Sequence, residues 1–188
     1  MLRIVTGTAK GKKLKTLEGE NTRPTSERIK EAVFSSIQFD IEDRRVLDLF
    51  AGCGQMGLEA LSRGARSATF IDLAREAMDI VKENARSVGF FDRCRYLVSD
   101  WRNYIRKAGG RDQYDLVFVD PPYSMECCKD ALDRLIDADM LAPGAIVVLE
   151  SGTETCDFVG DDRVEIIKST SYGKKTAINI LLFRGESK

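Results

Sequence analysis

Histidine is absent from all 188 residues. Without an imidazole the chain can build no Ser-His-Asp triad, no Cys-His nucleophile pair, and no imidazole acid–base or metal-ligand step. Any chemistry must run through carboxylates, backbone groups, Tyr, Lys, Cys or a bound cofactor. Disulfides and zinc are disfavoured as well. The five cysteines, Cys53, Cys94, Cys127, Cys128 and Cys156, are odd in number, and no two have C-x-x-C spacing. That usage fits a reducing compartment, so a cytoplasmic protein without a bound metal is expected. No apolar run approaches the ~20 residues of a membrane helix, and the N-terminus lacks the apolar core of a signal peptide. A net charge of −1 singles out no partner by itself.

What is present reads as an ordinary globular chain, 43% hydrophobic and 31% charged. Its length suits one domain with a small appendage, and a monomer is expected. The charge is unevenly spread. Residues 1–17 carry Arg3, Lys10, Lys12, Lys13 and Lys15 with no acid, and Arg23, Arg28 and Lys30 follow. A basic segment on a neutral body is either a footprint for a polyanion or a sheet edge protected by lysines. Charge alone does not choose between them.

Residues 2–6 and 13–17 read as a small β-hairpin around a turn at 7–11, followed by a helix over 26–39 that Pro24 precedes. Short apolar runs at 46–49, 68–71, 96–98, 116–119 and 145–149 then alternate with helical stretches at 57–63, 75–88, 101–107 and 128–136. Buried strands with intervening helices predict an α/β protein with a parallel sheet covered on both faces. Strand-like stretches at 164–169 and 176–183 are separated by too short a link for a parallel crossover, so the last strand should run antiparallel.

The segment Val46-Leu47-Asp48-Leu49-Phe50-Ala51-Gly52-Cys53-Gly54-Gln55-Met56-Gly57 is a strand, a glycine turn and a helix start. Gly52, Gly54 and Gly57 satisfy G-x-G-x-x-G, and Asp72 ends the next strand, as in the nominal dinucleotide fingerprint. Asp48 argues against a pyrophosphate beside that turn. It would attract an ammonium or sulfonium instead, by about 4 kcal/mol at about 4 Å with an effective dielectric near ~20 before desolvation. S-adenosylmethionine carries both cations. Asp72 suits ribose hydroxyls, and Ser99-Asp100-Trp101 offers an acceptor for an adenine amine and an aromatic face. Helix N-capping is the bland alternative for Asp72 and Asp100.

Asp120-Pro121-Pro122-Tyr123 follows the strand at 116–119. Two prolines stop the chain from running on into helix, so a carboxylate and the first proline's carbonyl are held at the sheet edge. Two acceptors match the two hydrogens of an exocyclic amine. Accepting both favours the pyramidal nitrogen whose lone pair can attack a methyl group, and Tyr123 offers a stacking face for the base. A surface turn is the structural alternative.

These two motifs resemble those of the amino-directed S-adenosylmethionine methyltransferases. Arg3-Ile4 with Gly7 and Lys10-Gly11, Thr22-Arg23-Pro24-Thr25 before Arg28 and Glu31, Gly57-Leu58-Glu59-Ala60-Leu61-Ser62-Arg63-Gly64-Ala65, and Tyr172-Gly173 narrow the resemblance to the RsmD family over essentially the whole chain. Cys53 stands where that family more often has Ser, and Asp72 where it often has Glu. The resemblance implies a Rossmann-like, seven-stranded class I methyltransferase sheet at 22–188, with an N-terminal basic hairpin at 1–21. It implies methylation of a guanine N2 in bacterial 16S ribosomal RNA, or in an assembling small subunit. Cofactor contacts are expected at Asp48, Leu49, Phe50, Ala51, Gly52, Gly54, Asp72, Leu73, Asp100 and Trp101. The target amine is expected at Asp120, Pro121, Pro122 and Tyr123. Arg3, Lys10, Lys12, Lys13, Arg23, Thr25, Arg28 and Tyr172 are expected to meet RNA. An N6-adenine DNA or protein-glutamine methylase, a nicotinamide dehydrogenase, and a non-catalytic RNA-binding domain are the competing readings.

Overall fold

Short aliphatic runs, each closed by a turn former, become the strands of an α/β fold. The structure, a computed structural model, describes residues 2–17, 24–122, 127–152, 162–173 and 176–185. The chain divides into two compact units, Met1–Trp101 and Arg102–Lys188. Seven strands make up the mixed sheet, in the order β3-β2-β1 in the first unit and β4-β5-β7-β6 in the second.

The first unit contains α1 (Pro24–Ser36), β1 (Arg45–Asp48), α2 (Gln55–Ser62), β2 (Ser67–Asp72), α3 (Arg75–Val88) and β3 (Cys94–Val98). β1 and β3 both run parallel to β2, with Asp48 opposite Phe70 and Asp72 opposite Val98. Val46, Leu47, Phe70 and Ile71 are fully buried, as expected of strands covered on two faces. In α3 the buried positions Ala77, Met78, Val81, Ala85 and Val88 recur every three or four residues. Gly89, in the left-handed region at φ 85, ends that helix.

The second unit contains most of α4 (Trp101–Ala108), then β4 (Tyr114–Val119), α5 (Cys128–Asp137), β5 (Leu141–Ser151), β6 (Val164–Tyr172) and β7 (Thr176–Phe183). β4 and β5 are parallel, whereas β7 is antiparallel to both β5 and β6. β5 begins earlier than its apolar run suggests. Pro143 and Gly144 read as a turn, yet they lie within the strand, beside a register shift between Tyr114 and Leu116.

The N-terminal segment departs from the expected hairpin. Its pairing is reduced to one bridge, Arg3 with Lys13, made by the Ile4 N–H to Lys12 and Leu14 N–H to Leu2 bonds, and one further bond, Gly11 N–H to Ile4. The cause lies in where the other backbone groups go. Val5 and Thr6 donate to the carboxylate of Glu59 at 2.8 and 3.0 Å, and Lys15 pairs in both directions with the side chain of Asn84. Side chains of α2 and α3 thus take the groups that a second strand would need. Gly7 (φ 87) lies so close to Ser62 that a Cβ would meet its carbonyl oxygen at 1.8 Å. The expected boundary after residue 21 lies outside the described residues.

Candidate functional site

Asp48 is the last residue of β1, and the chain then turns through Gly52 (φ 52) and Gly54 (φ 80) into α2. Its carboxylate is buried and accepts the Gly57 N–H at 3.1 Å, so it holds the start of the helix as well as facing the turn. Burial pushes the carboxyl up from 3.8 to about 7; the Gly57 bond works against this, and the negative Asp72 adds to it. Asp48 is therefore poised rather than permanently charged at neutral pH. A Cβ on Gly57 would stand 2.4 Å from the Phe70 ring, so only glycine lets α2 approach β2 this closely.

Asp72, at the end of β2, accepts the Gly52 N–H at 2.9 Å and the Ala74 N–H at 2.9 Å. One bond per oxygen leaves further lone-pair sites for a ligand hydroxyl. The backbone of Leu49, Phe50 and Ala51 lines the run into the turn, and Ala51 N–H donates to Ile71 at 2.9 Å. Next to Asp72 two apolar side chains stand in solvent, Leu73 at 71% and Val98 at 46% exposed. Val98, missed in the sequence, pairs with Asp72 across the sheet. Its signal was present: it is the last residue of a strand, beside Ser99-Asp100.

Trp101 was expected to offer an aromatic face beside Asp100. Its ring is buried and leans on Phe50, with centroids 6.0 Å apart and planes at 53°. Asp100 is half-buried at the start of α4.

In the second unit, Asp120 follows β4 directly and is exposed, Pro121 is buried and Pro122 is exposed. The inward Pro121 anchors the segment while Asp120 faces outward. Tyr123 and Arg23 lie outside the described residues, and Thr25 is described only as part of the α1 backbone. Among the basic residues, Lys10, Lys13 and Arg28 are exposed, Lys12 reaches the Ser87 carbonyl at 3.4 Å, and Arg3 is held by Glu27 at 2.8 Å. Tyr172 ends β6 opposite Thr176 and is half-buried. Among the described residues no three His, Cys, Asp or Glu side chains gather as a metal site would require, and no helix is long and apolar enough to cross a membrane.

Sequence reasoning missed Glu59 and Asn84, and it counted Lys30 with the basic run although its side chain is buried. Glu59 on α2 is fully buried, with Lys30 Nζ at 3.7 Å and Arg63 Nε at 2.9 Å, and Lys30 Nζ also donates to the Arg3 carbonyl at 2.6 Å. Burial lowers the Lys30 pKa, and Glu59 opposes that shift. In the sequence these are ordinary polar helix positions.

A family model described as "Conserved hypothetical protein 95" matches residues 2–180. The Bacillus subtilis protein YlbH is 32% identical, covering 98% of this chain and all of its own length (100%). Ribosomal RNA small subunit methyltransferase D of Escherichia coli strain K12 is 33% identical, covering 81% of this chain and 76% of its own. The solved structure of the Escherichia coli protein yhhF superposes with a TM-score of 0.86 at 28% identity, over 98% of this chain and 99% of that one.

Proposed function

The chain belongs to the RsmD family, and from that premise we propose that it transfers a methyl group from S-adenosylmethionine to the exocyclic N2 amine of a guanine in 16S ribosomal RNA, in the manner of the guanine-966 type. The observation that carries the reading is Asp120-Pro121-Pro122 at the end of β4, a carboxylate and a carbonyl fixed after a buried strand.

The residues of the glycine turn fit this cofactor. When bound, it supplies an electrophilic methyl group on a sulfonium. A cation near Asp48 draws that carboxyl back to its ionised form, so the acid gains its full charge only when there is one to balance. Asp72 accepts from the ribose hydroxyls through its remaining lone pairs. Leu73 and Val98 cover the adenine, with Asp100 within the same group of strand ends. Asp120 and the Pro121 carbonyl accept both hydrogens of the guanine amine, which localises its lone pair for attack and stabilises the positive charge that develops on nitrogen. As the nitrogen–methyl bond forms the methyl–sulfur bond breaks, leaving the neutral thioether S-adenosylhomocysteine, and one of the two amine protons then passes by way of Asp120 to water. Tyr123 stacks on the base, and Lys10, Lys12, Lys13 and Arg28, with Arg3, Arg23, Thr25 and Tyr172, approach the RNA.

The test is incubation with labelled S-adenosylmethionine and small-subunit particles lacking the modification, followed by nucleoside analysis. Label in N2-methylguanosine is expected. Label in N6-methyladenosine, or none above background, overturns the reading.

A further inference from the structure

Asn84 occupies the buried stripe of α3 between Val81 and Val88, where an apolar residue would pack. Asn is a poor helix former, and a buried amide is costly unless every polar atom is satisfied. Here each is satisfied, and by groups outside the helix. Nδ2 donates to the Cys53 carbonyl at 2.9 Å and to the Lys15 carbonyl at 3.0 Å, while Oδ1 accepts the Lys15 N–H at 2.8 Å.

The Cys53 carbonyl belongs to the same peptide group as the Gly54 N–H, which donates to Ala51 at 2.7 Å. The peptide that joins Cys53 to the left-handed Gly54, whose glycine backbone is freer to rotate than other residues', is thus held at both ends. One end is closed by the turn itself, the other by Asn84. Its remaining bonds run to the N-terminal segment, so that segment and the turn share one anchor.

We infer that Asn84 is a positioning residue for the cofactor turn, fixing the Cys53–Gly54 peptide while gripping the N-terminal segment at Lys15. The inference rests on the S-adenosylmethionine reading. The glycine turn binds well only if it is already shaped, because a ligand that must first order it gives up affinity in doing so.

A matched control is available. Ser62 also secures the N-terminal segment, accepting the Ala9 N–H at 3.0 Å and donating to the Thr6 carbonyl at 2.6 Å. It makes no bond to the turn among the described residues. Titration calorimetry with S-adenosylmethionine would compare the parent, Asn84→Ala, Asn84→Asp and Ser62→Ala, each with a thermal melt to verify folding. The Asp variant keeps the shape and the acceptor for Lys15 but can donate to neither carbonyl. Both Asn84 variants should bind about tenfold more weakly or worse, whereas Ser62→Ala, though it melts earlier, should stay within about threefold of the parent. Folded Asn84 variants that bind like the parent, or no worse than Ser62→Ala, overturn the inference alone. A parent that does not bind S-adenosylmethionine overturns the cofactor reading and the inference with it.

Discussion

The buried carboxyl of Asp48 makes the folded protein hold a proton that the unfolded chain releases. With a folded pKa of about 7 against 3.8, the native state binds more protons between those values, so this group's contribution to stability is full below about pH 4 and is lost as pH rises toward 7. Asp48→Asn keeps an acceptor for Gly57 and removes the titration. The difference in stability between parent and variant should therefore move against the parent from pH 5 to pH 7.5 in urea melts; a constant difference would show that Asp48 does not titrate in this range. The same substitution should weaken S-adenosylmethionine binding by more than about tenfold, as loss of a charge-assisted bond implies. Asp120→Ala should behave in the opposite way. Cofactor affinity should hold, while single-turnover methyl transfer at saturating substrate falls by about 10²–10³. A rate within a few-fold of the parent would remove Asp120 from the mechanism.

Among the elements, the N-terminal segment and α2 depend on one side chain. Glu59 receives Val5, Thr6, Lys30 and Arg63, so Glu59→Ala leaves the buried Lys30 without its counter-charge and two backbone N–H groups without their acceptor. A loss of roughly 3–5 kcal/mol in denaturant unfolding is expected, the usual cost of breaking a buried ion pair from one side. A change under about 1 kcal/mol would mean that water replaces the carboxylate easily. On the outer side of the segment, replacing Lys10, Lys12 and Lys13 with Glu should weaken RNA binding and flatten its dependence on salt, with S-adenosylmethionine binding retained. An unchanged salt slope would return these lysines to edge protection. The elements themselves were largely legible. α3 and β7 fall where their apolar residues put them, α3 because its burial recurs every three or four residues and β7 because it is an apolar run buried almost throughout. β5 was read too short because Pro143 and Gly144 imitate a turn. The hairpin was over-read because the sequence does not show that Glu59 and Asn84 take its hydrogen bonds.

For the molecule as a whole, the site was legible where local chemistry and chain order coincide. Asp48, Gly52, Gly54 and Asp72 form a continuous strand-turn-helix-strand pattern, and the structure joins them by the Gly52–Asp72 and Gly57–Asp48 bonds. The supports of the site were not legible, since a buried polar residue on a helix is written like a solvated one. Asn84 and Lys30 each become visible only when a partner distant in the chain arrives. That distance has a further consequence. Val5 and Thr6 bond to Glu59, 54 and 53 positions later, and Lys15 to Asn84, 69 positions later. During synthesis Val5, Thr6 and Lys15 of the basic segment therefore precede by many residues the side chains of Glu59 and Asn84 that hold them. These bonds can form only after α2 and α3 have been made, so the first residues of the unit are among those whose contacts must wait for the rest of it.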